Sequence, residues 1–195
     1  DESSSASDEA ADASEPDAAN VESTPSAVAD ESEIEGDDLE VLLAERYEAY
    51  WSAFDEARQN PSADPAVDAP DLANVAAGEL LDVSYQSVID LAEQGQAYAE
   101  PDQPAIDGTD TDTEHRVRIE LVEGSIAEVR SCVVNDDVRI VVGSDEVIRD
   151  AVVTVESTST LALTEGRWKM IRSAADKIEP GVTGCWVDDP DAYPY

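Results

Sequence analysis

Between Asp38 and Asn60, the residues Leu39, Leu42, Leu43, Arg46, Tyr47, Tyr50, Trp51, Phe54 and Ala57 recur at three- and four-residue spacing. That period predicts one long helix with a broad buried stripe. The stripe holds four of the chain's ten aromatic residues (three Trp, six Tyr, one Phe), so it marks where the core begins.

Asn60-Pro61 stops the periodicity, and Pro65 and Pro70 are expected to keep residues 61–70 non-helical. Asp71 can cap a new helix with Leu72, Val75 and Ala76 facing inward, interrupted or bent at Gly78. Leu80, Leu81, Ser84, Val88, Leu91 and Ala92 restore a helical stripe from Glu79 to Gln94, ended by Gly95. Beyond the Pro- and Asp-rich loop 101–113 the period changes to two. Val117, Ile119 and Leu121 alternate with Arg116, Arg118 and Glu120, the pattern of a half-buried strand. Gly124 turns the chain into a strand from Ser125 to Val134, and Asn135-Asp136-Asp137 offers a tight turn into Val138 to Val142, giving an expected hairpin. Val152 to Thr164 and Arg167 to Ala174, separated by Glu165-Gly166, predict a second hairpin. Short turns between consecutive strands imply an antiparallel sheet, one face of it covered by the N-terminal helices. The fold class is α+β.

Residues 1–36 are almost entirely Asp, Glu, Ser, Ala and Pro and cannot offset their own ordering entropy. They are expected to form a disordered acidic tail, and 37–195 a single domain large enough for one core. The formal net charge is -36. Residues 1–39 carry 14 acids and no base, which leaves 33 acids against 11 bases, or -22, in the packed part. Such a field repels phosphate backbones and anionic headgroups, so nucleic acid and a lipid surface met through a basic face are excluded as partners. Cations and basic partners are permitted, although the charge serves solubility first.

The chain begins at Asp1, and no apolar run approaches the ~20 residues that span a bilayer, so removal of a targeting segment and export are expected. A flexible 36-residue spacer spans roughly 30–35 Å, enough to lift a domain off a membrane. The one membrane attachment consistent with this reading is a lipid-modified cysteine ahead of Asp1. Cys132 and Cys185, an even pair in an exported chain, read as a disulfide, with two buried free thiols as the alternative. A bridge would close a loop of about 53 residues and stabilise by up to ~4 kcal/mol.

Chemistry is sparse. The loop Asp107 to Glu114 alternates carboxylates but fails the EF-hand pattern, since counting from Asp110 puts His115 at the glycine position and Leu121 at the glutamate position. His115 is the sole histidine and reads as a surface residue. No nucleophile elbow, phosphate loop or dinucleotide fingerprint occurs. Tyr47, Tyr50, Trp51 and Phe54 either line an apolar pocket or fill the helix–sheet core, and Trp168 closes either arrangement. No catalytic residue, metal site or cofactor is nominated.

Four segments together carry a resemblance. They are Tyr47-x-x-Tyr50-Trp51-x-Ala53-Phe54-x-x-Ala57, Pro70-x-Leu72-x-x-Val75-Ala76-x-Gly78, Ala127-x-Val129-x-x-Cys132, and Gly166-Arg167-Trp168-Lys169 followed by a final Cys185. In this order they resemble exported actinobacterial lipoproteins and envelope proteins with a nuclear transport factor 2-like (SnoaL-like) domain. The resemblance implies a long helix and two shorter ones cupped by a curved antiparallel sheet, a cystatin-like cone fold, with the cysteines bridged. It also implies a surface-attached or extracellular location in a Gram-positive host. The functional expectation is a non-enzymatic domain binding a small apolar ligand or an envelope partner, with the sheet as the expected surface for a homodimer. An isomerase, dehydratase or cyclase using a pocket carboxylate is the alternative, and a structural assembly module a third.

Overall fold

The computed structural model describes residues 30–99, 115–136, 138–144, 146–149, 151–181 and 193–194. The tail 1–29, the acidic loop 107–114 and Cys185 lie outside these residues, and His115 is placed by its backbone alone.

The first helix, α1 (Asp37–Gln59), follows the aromatic stripe. Two one-turn helices come next, α2 (Pro65–Asp68) and α3 (Asp71–Val75), then α4 (Gly78–Gln94). The segment 61–70 was expected to be non-helical because of its prolines, but Pro65 starts α2 at a position where the missing N–H has no intrahelical acceptor anyway. Asp71 is not the cap of α3. Pro70 occupies that position and makes no side-chain cap hydrogen bond. Gly78 opens α4 rather than bending a longer helix. At the other end Gly95 stops α4 in the left-handed conformation (φ 65°, ψ 32°), its N–H turned back to the carbonyls of Leu91 and Ala92.

The strands are β1 (Gln96–Tyr98), β2 (His115–Glu123), β3 (Ile126–Asp136), β4 (Arg139–Val141), β5 (Val147–Arg149), β6 (Val152–Thr164), β7 (Arg167–Pro180) and β8 (Tyr193–Pro194). They form two antiparallel sheets, one of five strands in the order β7-β6-β3-β2-β8 and one of three in the order β1-β4-β5. The Glu165-Gly166 hairpin forms as expected, both turn residues having positive φ (54° and 77°), which suits a two-residue turn matched to the sheet twist. The hairpin expected across Asn135-Asp136-Asp137 does not form. β3 has β2 on one side as far as Val133 and β6 on the other as far as Asp136, so the stretch on which β4 would fold back is taken, and β4 pairs with β1 and β5 instead. β1, too short for a period to show, supplies the first strand of that second sheet.

The packed part also begins earlier than Asp37. Glu31–Glu33 form a 3-10 turn capped by Asp30, and the Glu31 N–H donates to the Gly166 carbonyl at 2.8 Å. The positive φ of the turn favours glycine at 166, and a side chain there would also press on the Asp30 carboxylate at 3.1 Å. At the other end, Tyr193 and Pro194 pair with Val117 and Arg116, holding the C-terminal residues along β2. The core lies between α1, α3 and the five-stranded sheet, built from Leu43, Tyr47, Tyr50, Leu72, Val129, Leu161, Trp168 and Met170. The link between α3 and α4 is stitched to β7 by the Ala77 N–H on the Met170 carbonyl and by Lys169 Nζ on the Ala73 carbonyl.

Candidate functional site

Alternation along β3 and β6 puts Ser131 and Ser157 directly opposite one another on the face that α1 covers. Tyr47 projects from α1 onto this pair. Its hydroxyl donates to Ser131 Oγ at 2.7 Å, and Ser131 Oγ lies 2.7 Å from Ser157 Oγ. A second hydroxyl pair sits further along, where Ser159 donates to Ser173 at 3.1 Å across β6 and β7. Ser131, Ser157 and Ser159 are all buried. The sheet therefore presents a row of hydroxyls under the helix, each bonded to a neighbour, as buried polar groups must be.

Burial pushes the Tyr47 phenol up to about 12, with the nearby Glu48 charge adding to the rise and the Ser131 hydrogen bond opposing it. At neutral pH this phenol is a donor, not a base. Tyr50 is also raised by burial, and its hydroxyl meets Ser84 Oγ at 2.9 Å. Ser84 Oγ in turn donates to the Leu80 carbonyl at 2.7 Å, which makes Tyr50 the donor of the pair.

The five aromatic residues singled out in the sequence do not play one role. Tyr47, Tyr50, Trp51 and Phe54 form a ring network along α1. Trp51 stands edge-on to Tyr50 at 5.0 Å and to Tyr47 at 6.2 Å, and Phe54 stacks on Tyr50 at 5.8 Å. The Trp51 indole N–H adjoins the Tyr47 hydroxyl without hydrogen-bond geometry. Trp168 comes from β7 as a core side chain, and its backbone N–H donates to Glu31 Oε2 at 2.8 Å. The Glu31 carboxylate, buried, also takes Arg46 Nη2. Cys132, fully buried, is disulfide-bonded, while its expected partner Cys185 lies outside the described residues. Among the described residues no three His, Cys, Asp or Glu side chains gather as a metal site, and no helix is long and apolar enough to cross a membrane.

One cluster was not foreseen. The Arg58 guanidinium lies 4.1 Å from the Tyr98 ring centroid and 4.7 Å from that of Phe54. Arg139 donates to the Tyr98 hydroxyl through Nε at 3.2 Å and Nη2 at 2.8 Å. Arg58 also pairs with Asp55. These residues come from α1, β1 and β4, elements far apart in the chain; the pairing of β1 with β4 joins Tyr98 to Arg139, and the packing of α1 on β1 brings Arg58 to the same ring.

No family model matches the chain, and no curated protein matches it. A similar solved structure is the intermembrane space region of the chloroplast protein ARC6. It is 13% identical with a TM-score of 0.43, and the match covers 68% of this chain and 95% of that one.

Proposed function

We propose that the chain is a non-enzymatic binding domain of an exported or surface-tethered envelope protein, built on a nuclear transport factor 2-like cone and acting on a partner protein through its outer surface. The observation that carries this reading is the fate of the tyrosine hydroxyls. Groups that would orient a ligand in an open cone are turned onto serines of the chain itself, Tyr47 onto Ser131 and Tyr50 onto Ser84. The rings beside them pack on one another, with Leu161 and Met170 fully buried on the strands below. An interior organised in this way favours a partner over the small apolar ligand. A disulfide at Cys132 supports an oxidising compartment, and the reading takes Cys185 as its other half.

The isomerase, dehydratase or cyclase reading has one observation in its favour, the charge of Glu48 beside Tyr47. The two are separated by assaying the purified chain against a panel of isomerase, dehydratase and cyclase substrates. The binding reading expects no turnover above buffer. Turnover that Glu48→Gln abolishes establishes the enzyme instead.

A further inference from the structure

In the β2–β3 hairpin the alternation of β2 is broken on purpose-built geometry. Val117 and Ile119 lie opposite Ser131 and Val129 on the face that α1 covers, and a regular strand would put Leu121 beside them. The register shifts between Ile119 and Leu121, with Glu120 as the extra residue, so Leu121 lies opposite Glu128 on the outer face and Val122 opposite the buried Ala127. Leu121 is therefore 43% exposed, and Ile126, on the same face of β3, is 39% exposed. Leu121 and Ile126 form one diagonal of a square on the outer face, and Glu123 and Glu128 form the other. Neither of these glutamates has a charge partner among the described residues, whereas Glu120 pairs with Arg118. Arg172 on β7 stands two strands from Glu128, beyond Thr160, so the acidic part of the patch stays on the hairpin. Solubility calls for charge at the surface; it does not call for a leucine turned outward by a bulge.

We propose that this square on the outer face of the β2–β3 hairpin docks a basic segment of a partner protein, an extended stretch whose aliphatic side chains cover Leu121 and Ile126 while its lysines or arginines meet Glu123 and Glu128. The proposal rests on the binding-domain reading and names the partner's chemistry. Leu121 and Glu123 are two residues apart on one strand, as are Ile126 and Glu128 on the other. Alternate side chains of an extended partner repeat at the same spacing of ~6.6 Å, so an aliphatic and a basic residue two apart match either pair. Contact of this kind covers the exposed aliphatic carbon and gives each unpaired glutamate a cation. The charge of -36 draws a basic partner in. Association then slows as salt is added, while the aliphatic contact persists.

The test is fluorescence anisotropy of the full chain at about 0.15 M salt, with labelled Val-Ser-Lys-Ser-Val-Ser-Lys and with a counterpart of equal charge in which serine replaces both valines. The valine peptide is expected to bind saturably and about tenfold more tightly than the serine one, a preference that Leu121→Ser combined with Ile126→Ser removes. Both side chains are exposed, and an unchanged far-ultraviolet circular dichroism spectrum checks the fold of that variant. Glu128→Lys is expected to weaken binding about tenfold, whereas Glu93→Lys, the same charge change at an exposed position of α4, alters it less than about twofold. Equal binding of the two peptides overturns the proposal, as does a preference that survives the Leu121→Ser, Ile126→Ser double variant. Glu93→Lys weakening binding as much as Glu128→Lys, or failure of the valine peptide to bind at about 1 mM, overturns it too. None of these results bears on the binding-domain reading, which the turnover assay decides separately.

Discussion

The Tyr47 hydroxyl donates to Ser131, 84 residues further along the chain, at 2.7 Å, and so ties the middle of α1 to the centre of the five-stranded sheet. The bond is local in space and remote in sequence. It converts what a stripe of aromatics leaves ambiguous, pocket wall or core, into a specific arrangement in which the polar end of the side chain faces the chain's own hydroxyls.

Tyr50 and Ser84 form the parallel contact between α1 and α4, and their two deletions are not equivalent. Tyr50→Phe leaves Ser84 still donating to the Leu80 carbonyl, so about 0.5–1.5 kcal/mol is lost. Ser84→Ala strands a buried phenol and costs about 1–3 kcal/mol. Urea unfolding of both variants checks the ranking.

Alkaline pH weakens the fold through Tyr47. Its native pKa of about 12 stands above the ordinary value of 10.0, so between those values the native state keeps a proton that the unfolded chain releases. Stability is full below pH 10 and falls as pH rises toward 12, by about 3 kcal/mol from this group. Tyr50 shifts in the same direction and adds to the fall. Urea midpoints at several alkaline values are expected to show a shallower decline in Tyr47→Phe.

Glu31 anchors the segment ahead of α1, accepting from Arg46 and from the Trp168 N–H. Glu31→Ala leaves both donors without that carboxylate and is expected to cost about 2–3 kcal/mol, with faster hydrogen exchange at the Trp168 amide. A chain starting at Asp37 is likewise expected to be less stable than one starting at Asp30.

Reduction is the fourth test. Cys132 sits on β3 directly opposite Arg116 of β2, the residue that pairs with Pro194 of β8. If its bridge runs to Cys185, Cys132→Ala or treatment with a reductant lowers stability by about 2–4 kcal/mol, and mass mapping of the native chain finds the Cys132–Cys185 peptide.

The two long helices and the strands β2, β3, β6 and β7 were legible in the sequence because their signals are local, whereas α2 and β8 were not. The stripe from Leu39 to Ala57, the stop at Gly95 and the Glu165-Gly166 turn each carry their own geometry. The second sheet was not legible. β1, β4 and β5 have three residues each, too few for a period of two to stand out, and β4 is diverted because β3 is already paired on both sides. For the same reason the Arg58–Tyr98–Arg139 cluster gave no signal. Glu31 looked like one more acid of the tail, and only its distant partners Arg46 and Trp168 distinguish it. The aromatic candidates were found, and Ser84, which receives Tyr50, stood in the stripe of α4, while Ser131, which receives Tyr47, was hidden in a strand where a hydroxyl reads as solvent-facing.

Met170 is the chain's single methionine and is fully buried on β7 in the core cluster, so its methyl group gives one NMR signal from the interior. Titrating the full chain with a small apolar probe such as indole, and following that resonance, tests the central claim most directly. A domain whose interior is occupied by its own side chains shows no saturable shift at Met170. A saturable shift there would show an interior site and contradict the account.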